Sequence, residues 1–222
     1  MNSDGKCSVC GKLLAVASVK TSGGTVTCYR DIHEAFDAAK TSDGSTLTLL
    51  QDVTLPSYDE DKDKDSIYIS PDSGDYRFTV DWNGHTLSGS PSNNLMVITV
   101  SANVTLTDSS DNNTGGARQT GLGGAVYIAV GSEGSVNIQG GTYSPNVTRS
   151  ERCYGSARIS GGVFENPESY GMTCALYDLG GRPLSQMLAD GTAFAYEADG
   201  SDLLDAYHVI RSDSYRTVYA VE

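Results

Sequence analysis

Two nine-residue stretches of the chain decide the fold: Ser135-Val-Asn-Ile-Gln-Gly-Gly-Thr-Tyr143 and Ser156-Ala-Arg-Ile-Ser-Gly-Gly-Val-Phe164. Their equivalent residues are 21 positions apart. Each stretch has small or apolar residues at alternate positions, then a Gly-Gly pair and an apolar-aromatic step. This pattern is typical of a short strand, a sharp corner and a second short strand. A repeat of about 20 residues predicts a solenoid.

The composition agrees with many short strands joined by turns. Hydrophobic residues make up 38% of the 222 residues, and 25 residues are glycine, which tolerates the positive φ that corners require. The net charge of -13 removes the phosphate attraction that drives binding to nucleic acids and anionic membranes, so we expect neither partner. No membrane-span or signal-peptide pattern occurs, and we expect the chain to be one module of a larger protein.

Three regions are predicted along the chain. They are an N-terminal cysteine-containing segment with a capping helix at 1–44, a parallel β-helix of about five coils at 45–166, and a small α+β cap at 167–222. The first 28 residues show no repeat and are expected to be irregular.

Both caps carry local signals of secondary structure. Residues 29–40 predict a short amphipathic helix that covers the open end of the solenoid, with one apolar stripe formed by Ile32, Ala35, Phe36 and Ala39. In the C-terminal cap, residues 184–191 predict a helical turn, and residues 193–196 with 216–221 predict a closing hairpin.

The order of motifs from the helix onward is the basis of a family resemblance. The motifs are Tyr29-x-x-Ile32-x-x-Ala35-Phe36-x-Ala38-Ala39, Leu47-x-Leu49-Leu50-x-Asp52-Val53, Val80-Asp81-x-Asn83-Gly84-x-Thr86-Leu87-x-Gly89 and Val136-x-Ile138-x-Gly140-Gly141-x-Tyr143. Their order resembles pectin-lyase-like right-handed parallel β-helix modules of large Gram-positive surface proteins, especially from gut Firmicutes. The resemblance covers about residues 29–166, and residues 188–194 resemble a segment that often follows such helices. It implies an all-β, single-stranded β-helix exposed on a bacterial cell surface, and none of its motifs is catalytic.

The N-terminal cysteines form a candidate metal site. Cys7, Cys10, Cys28 and His33 follow one another as C-x2-C-x17-C-x4-H, and these ligand types in this order suit a tetrahedral structural zinc. A disulfide or free thiols beside a solvated His33 would give the same pattern, so both interpretations stay open. No other cofactor is expected.

The remaining cysteines and the acidic insertion also leave alternatives. Cys153 and Cys174 are 21 residues apart, and the sequence favours equally a disulfide and two buried thiols. Alternating aspartates at 59–65 resemble the start of a calcium loop, but they lack its central Gly and terminal Glu. A solvated loop is therefore favoured over a calcium site.

Binding residues are expected where the repeat is interrupted. We expect function in the acidic insertion, in the excursion at 108–124 and in the caps. The predicted binding residues are Tyr58, Asp59, Asp61, Asp63, Asp65, Asp108, Asp111 and Arg118, together with Trp82 before the Asn83-Gly84 corner. Trp82 has an alternative role, since an aromatic residue before such a corner often shields the core.

The expected function is noncatalytic binding. A solenoid presents long rigid faces, which suit an adhesin-like module that binds a host glycan or a host protein such as mucosal immunoglobulin. One alternative is a polysaccharide lyase or hydrolase, in which Asp72, Asp75, Asp81 and Asp108 would converge across coils. Another alternative is a structural spacer, whose faces would lack an aromatic or apolar patch.

Overall fold

The computed structural model describes residues 5–6, 8–57, 65–70, 77–167 and 173–222. Strands make up 39% of these residues and helices 7%, so the regular secondary structure is mainly β. In chain order the elements are β1 (Ala17–Lys20), β2 (Val26–Tyr29), α1 (Ile32–Lys40), β3 (Ser45–Leu49), β4 (Val53–Thr54), β5 (Ile67–Ile69), β6 (Arg77–Asp81), β7 (Thr86–Gly89), β8 (Met96–Val100), β9 (Asn103–Thr107), β10 (Gly116–Gln119), β11 (Val126–Val130), β12 (Ser135–Ile138), β13 (Thr142–Ser144), β14 (Val147–Arg149), β15 (Ser156–Ile159), β16 (Val163–Phe164), β17 (Leu176–Asp178), a 3-10 helix (Leu184–Met187), β18 (Ala193–Ala195) and β19 (Val218–Val221).

The strands from β3 to β17 form a parallel β-solenoid. Successive strands join successive sheets, so each strand pairs in parallel with the third strand after it. Sheet 1 stacks β3, β6, β9, β12 and β15, sheet 2 stacks β4, β7, β10, β13 and β16, and sheet 3 stacks β5, β8, β11, β14 and β17. The predicted β-helix is confirmed, although it has about four turns instead of about five coils. Each sheet stacks five parallel strands, and the four intervals between them correspond to about four turns.

The repeat that predicts the fold is a pair of stacked neighbours. Strands β12 and β15 pair with Ser135 opposite Ser156, and the next sheet begins with Tyr143 opposite Phe164. The glycine pair forms the corner between them. Gly141 has φ of +95°, and a Cβ there would lie 2.8 Å from the Trp82 ring. This corner requires glycine both for its left-handed backbone and for its close packing.

Columns of inward-facing apolar side chains build the core. In sheet 1 the column consists of Leu47, Val80, Leu106, Ile138 and Ile159, each at most 1% exposed. Burial of one such side chain contributes about 1.5–3 kcal/mol relative to leaving it exposed. The alternation seen in the sequence therefore reports the inner and outer faces of each strand.

Four aromatic residues form a second stack beside the corner between sheets 1 and 2. Tyr143 and Phe164 are stacked with ring centroids 5.6 Å apart, while Trp82 and Phe194 meet the ends of this pair edge-on at 6.3 and 6.4 Å. Trp82 Nε1 donates to Tyr143 Oη at 3.1 Å, and Tyr143 Oη donates to the Gly140 carbonyl at 2.8 Å. The stack therefore satisfies its own buried polar atoms.

Acidic and amide side chains of one coil hold the backbone of the next. Asp43 Oδ1 accepts a hydrogen bond from the backbone N–H of Arg77 at 2.9 Å. The same arrangement joins Asp52 to Thr86, Asp81 to Ser109, Asn94 to Gly124 and Asn113 to Gly141. Part of the acidic composition thus serves the corners of the solenoid, where backbone donors would otherwise lack partners.

The N-terminal end of the solenoid is closed by α1 and by an antiparallel hairpin. The predicted apolar stripe of α1 is confirmed, since Ile32, Ala35, Phe36 and Ala39 are all buried. The expectation that the first 28 residues are irregular is wrong, because β1 and β2 pair antiparallel and β1 also pairs antiparallel with β3. β1 extends sheet 1 through its pairing with β3. Its alternate side chains, Ala17 and Val19, are buried.

The C-terminal end is closed in a similar way. The predicted hairpin is confirmed by the antiparallel pair β18 and β19, and β19 also pairs antiparallel with β16. The last parallel strand is β17, so the repeat continues past the expected boundary at residue 166. The predicted helical turn is the 3-10 helix Leu184–Met187.

Candidate functional site

The outer face of sheet 3 carries a tyrosine on every second strand. Tyr68, Tyr127 and Tyr177 lie on β5, β11 and β17, and Val97 and Thr148 occupy the equivalent positions on the strands between them. Neighbouring strands are about 4.8 Å apart, so the tyrosines are spaced by roughly 10 Å and span about 19 Å. We call these three residues the tyrosine stripe.

The tyrosine stripe presents rings from a rigid sheet. Tyr68 is 56% exposed, and Tyr127 and Tyr177 are half-buried. Tyr127 Oη donates to Ser150 Oγ at 2.7 Å, which fixes the orientation of the middle ring. A tyrosine offers an apolar ring face together with a polar hydroxyl, so the stripe is suited to ligands that combine apolar and hydroxyl surfaces.

A groove lies at the corner between sheets 3 and 1, near the C-terminal end of the solenoid. It is open, has a volume of about 820 Å³, and is lined by the β14–β15 connection and by part of the C-terminal cap. Arg149, Arg158 and Arg182 line it, as does Tyr154, which is 75% exposed. We call it the arginine groove.

Arg149, which lines the arginine groove, forms a buried ion pair with Asp178 at positions where the other strands of sheet 3 carry isoleucine. Ile69, Ile98 and Ile128 form the inward column of β5, β8 and β11, and Arg149 and Asp178 continue it on β14 and β17. Arg149 Nε donates to Asp178 Oδ2, and the two side chains are only 5% and 0% exposed. The core column therefore changes from apolar to charged at its C-terminal end.

Asp178 is held as a carboxylate by two arginines. The backbone N–H of Arg182 donates to Asp178 Oδ1 at 3.0 Å, and Arg182 Nε lies 3.2 Å from Oδ2. Burial alone raises the pKa of the Asp178 carboxyl, but these hydrogen bonds and the Arg149 guanidinium more than offset it and hold that pKa below its ordinary value. Asp178 therefore remains ionised inside the protein.

Two of the acidic residues considered for catalysis, Asp81 and Asp108, bind the backbone at a corner. Asp108 accepts hydrogen bonds from the backbone N–H groups of Gly84 at 2.8 Å and Gly115 at 2.6 Å, and Asp81 accepts from Asn83 and Ser109. Asp72 and Asp75 lie outside the described residues. Both carboxylate oxygens of Asp108 bind the backbone, and its role as a ligand-binding residue stays a prediction.

The prediction that Trp82 binds a ligand is wrong. Its side chain is fully buried, and its Nε1 is hydrogen-bonded to Tyr143. Burial raises the pKa of the Tyr143 hydroxyl, which stays protonated and can donate onward within the stack. The alternative stated for Trp82, shielding of the core, agrees with this position.

The predicted zinc ligands are only partly within the described residues. Cys7 lies outside them, Cys10 is exposed, and Cys28 belongs to β2. His33 is in the first turn of α1, with Nε2 3.3 Å from the carbonyl oxygen of Ser66. Among the residues that the structure describes, no three His, Cys, Asp or Glu side chains come together as a metal site. The zinc site stays a prediction.

The other predicted binding residues do not meet at one place. Tyr58, Asp59, Asp61 and Asp63 lie outside the described residues. Asp65 lies two residues before β5, and its Oδ1 accepts from Ser66 Oγ at 3.3 Å. Asp111 and Arg118 are exposed, the first in the β9–β10 connection and the second on the outer face of sheet 2. Neither of these two residues lines the arginine groove.

Cys153 and Cys174 are both buried and both have free thiols. Cys153 lies in the β14–β15 connection and Cys174 in the β16–β17 connection, so the two occupy different corners. The 21-residue spacing does not correspond to one winding here because the β16–β17 connection is long. Burial raises the pKa of both thiols, which keeps them protonated.

Sequence reasoning missed the residues of both sites, although local signals exist. The segments 67–69, 126–128 and 176–178 read Ile-Tyr-Ile, Val-Tyr-Ile and Leu-Tyr-Asp, each with tyrosine between two inward positions. In the sequence Val147-Thr-Arg149, arginine occupies the inward position that is apolar in the preceding strands of sheet 3. Aligning the third strand of every coil would have shown both patterns.

Comparison of the chain with protein-family models, with curated proteins and with solved structures finds no match. Within the described part of the chain, the helices are too short or too polar to cross a membrane. The two sites described above are therefore interpreted from their geometry and chemistry.

Proposed function

We propose that the chain is a noncatalytic, extracellular binding module of a bacterial surface protein, and that it holds an extended glycan along the tyrosine stripe. The observation that carries the proposal is the regular placement of Tyr68, Tyr127 and Tyr177 on alternate strands of one sheet. The setting on a Gram-positive cell surface, and a host glycan as the ligand, rest on the resemblance to β-helix surface modules.

The geometry of the stripe favours a polymer over a small molecule. The three rings span about 19 Å along the solenoid axis, which exceeds the length of a single sugar ring severalfold. A repeating chain of sugars can meet rings at a regular spacing, whereas a compact ligand would contact only one. The sheet holds the rings in place before binding, which lowers the entropic cost of association.

The spacer and enzyme alternatives receive less support. A pure spacer has no reason to align three tyrosines on one face and to leave Tyr68 56% exposed, since exposed apolar surface carries an aggregation risk. An enzyme of the polysaccharide-cleaving type needs carboxylates facing the ligand. Asp81 and Asp108, the described members of the proposed catalytic set, bind the backbone of a corner.

The test is a glycan array followed by titration of the best ligand. We expect Tyr68→Ala to weaken binding about 10-fold, which corresponds to 1.4 kcal/mol, and Tyr68→Phe to retain most of the affinity because the ring remains. Tyr207→Ala is the matched control, since Tyr207 is 73% exposed but lies in the C-terminal cap. Equal affinities for all three variants and the wild type would contradict the proposal.

Two further measurements separate the alternatives. Release of reducing ends from the bound glycan would show an enzyme and not a binding module. Binding to mucosal immunoglobulin that survives removal of its glycans would contradict glycan recognition and would indicate a protein partner for the same face.

A further inference from the structure

The arginine groove is a concentration of positive charge in a strongly acidic chain. The chain has a net charge of -13, yet Arg149, Arg158 and Arg182 line one groove. Asp178 is fully buried and pairs with two of them, Arg149 and Arg182. The described residues that line the groove thus include three guanidinium groups and no carboxylate.

The buried arginine is not fully satisfied. Arg149 Nε donates to Asp178, and Nη1 lies 3.5 Å from the Gln186 carbonyl, but Nη2 is buried without a hydrogen-bond partner among the described residues. An unpaired charged donor of this kind is costly inside a protein. A bound anion would offset the local positive charge and accept a hydrogen bond from Arg149 Nη2.

The other two arginines are accessible from solvent. Arg158 is exposed, with Nη1 donating to the Leu188 carbonyl at 2.7 Å, and the Arg182 side chain is 27% exposed. Hydrogen bonds to the backbone fix both guanidinium groups at the groove, and each group retains further N–H donors. Tyr154 provides an exposed ring on the same groove.

We propose that the arginine groove binds an oxyanion, a carboxylate or a sulfate group, carried on a ring that rests against Tyr154. Arginine recognises such groups by paired charge-assisted hydrogen bonds. The site lies at a corner of the solenoid, whereas the tyrosine stripe lies on the outer face of sheet 3. The proposal therefore does not rest on glycan binding at the stripe.

The experiment is titration of the whole chain in low-chloride buffer with glucuronate, sulfate and, as the neutral control, glucose. Binding of glucuronate identifies a carboxylate on a ring, and binding of sulfate alone identifies the tetrahedral anion; either result supports the site. We expect Arg158→Gln to weaken anion binding at least 10-fold. Because Arg158 is exposed, this variant should keep the melting temperature of the wild type.

Arg30→Gln is the matched control, since Arg30 is exposed at the opposite end of the solenoid. The proposal is overturned if neither anion binds, if glucose binds as tightly as glucuronate, or if Arg30→Gln weakens binding as much as Arg158→Gln. The proposal is likewise overturned if Tyr68→Ala loses anion binding and Arg158→Gln retains it. Retention of anion binding in Tyr68→Ala would support the arginine groove as the anion site, whether or not the tyrosine stripe binds a glycan.

Discussion

The buried ion pair of the solenoid gives the sharpest test of the energetics. Asp178→Ile leaves the guanidinium of Arg149, whose side chain is 5% exposed, without its carboxylate. Removing one partner of a buried pair costs about 3–5 kcal/mol. Arg149→Ile is milder, at about 1–3 kcal/mol, because Asp178 keeps the backbone N–H and side chain of Arg182.

The double variant Arg149→Ile/Asp178→Ile should recover most of the loss. It extends the isoleucine column already formed by Ile69, Ile98 and Ile128, and replacement of a buried pair by apolar residues is often neutral or stabilising. We expect the double variant to lie within about 1 kcal/mol of the wild type, which gives a coupling energy of at least about 3 kcal/mol.

Urea denaturation of the four proteins measures this cycle. With an m-value of about 2 kcal/mol/M, a loss of about 3–5 kcal/mol moves the midpoint of Asp178→Ile by roughly 1.5–2.5 M. Arg158→Gln, an exposed change, serves as the control and should alter stability by less than about 0.5 kcal/mol. A midpoint shift below about 0.5 M for Asp178→Ile, or additive single changes, would refute the reasoning.

Three further predictions follow from the corner and the core. Gly141→Ala should destabilise the fold more than Gly181→Ala. Both glycines have positive φ, but only at Gly141 would the new Cβ lie 2.8 Å from the Trp82 ring. Equal melting temperatures of the two variants would contradict this prediction. Tyr143→Phe should cost about 1–3 kcal/mol in urea denaturation because it leaves the Trp82 N–H without an acceptor, and an unchanged midpoint would disprove this. Because folding lowers the pKa of Asp178, its contribution is complete above the unfolded value of about 3.9 and is lost as the pH falls through the folded value. Below pH of about 4 the melting temperature of the Arg149→Ile/Asp178→Ile variant should thus fall less steeply than that of the wild type, and parallel curves would count against this assignment.

The repeat carries enough information to predict the architecture. Each inward position of a strand must meet its equivalent one winding later, so the alternation and the Gly-Gly corners at residues 140–141 and 161–162 fix the stacking of β12 on β15. The β1–β2 hairpin was missed because its antiparallel pairing does not belong to the repeat. Its short strands carry little hydrophobic pattern of their own.

The candidate sites were harder to predict because insertions of unequal length hide them. Tyr68, Tyr127 and Tyr177 are separated by 59 and 50 residues, so no fixed period connects them in the sequence. Arg149 and Asp178 are 29 residues apart, and only the stacking of β14 on β17 brings them together. Trp82 was misassigned as a binding residue because an aromatic residue beside a turn has the same sequence whether it faces inward or outward.

The hydrogen bonds between successive corners bear on how such a molecule changes its length. Asp43, Asp52 and Asp81 each reach from one winding to the backbone of the next. A duplicated winding would therefore bring both its own acceptor and its own donor, and neither cap would need to change. Growth by two windings adds one ring position to the face of sheet 3, so gene duplication within the solenoid would lengthen the tyrosine stripe in discrete steps.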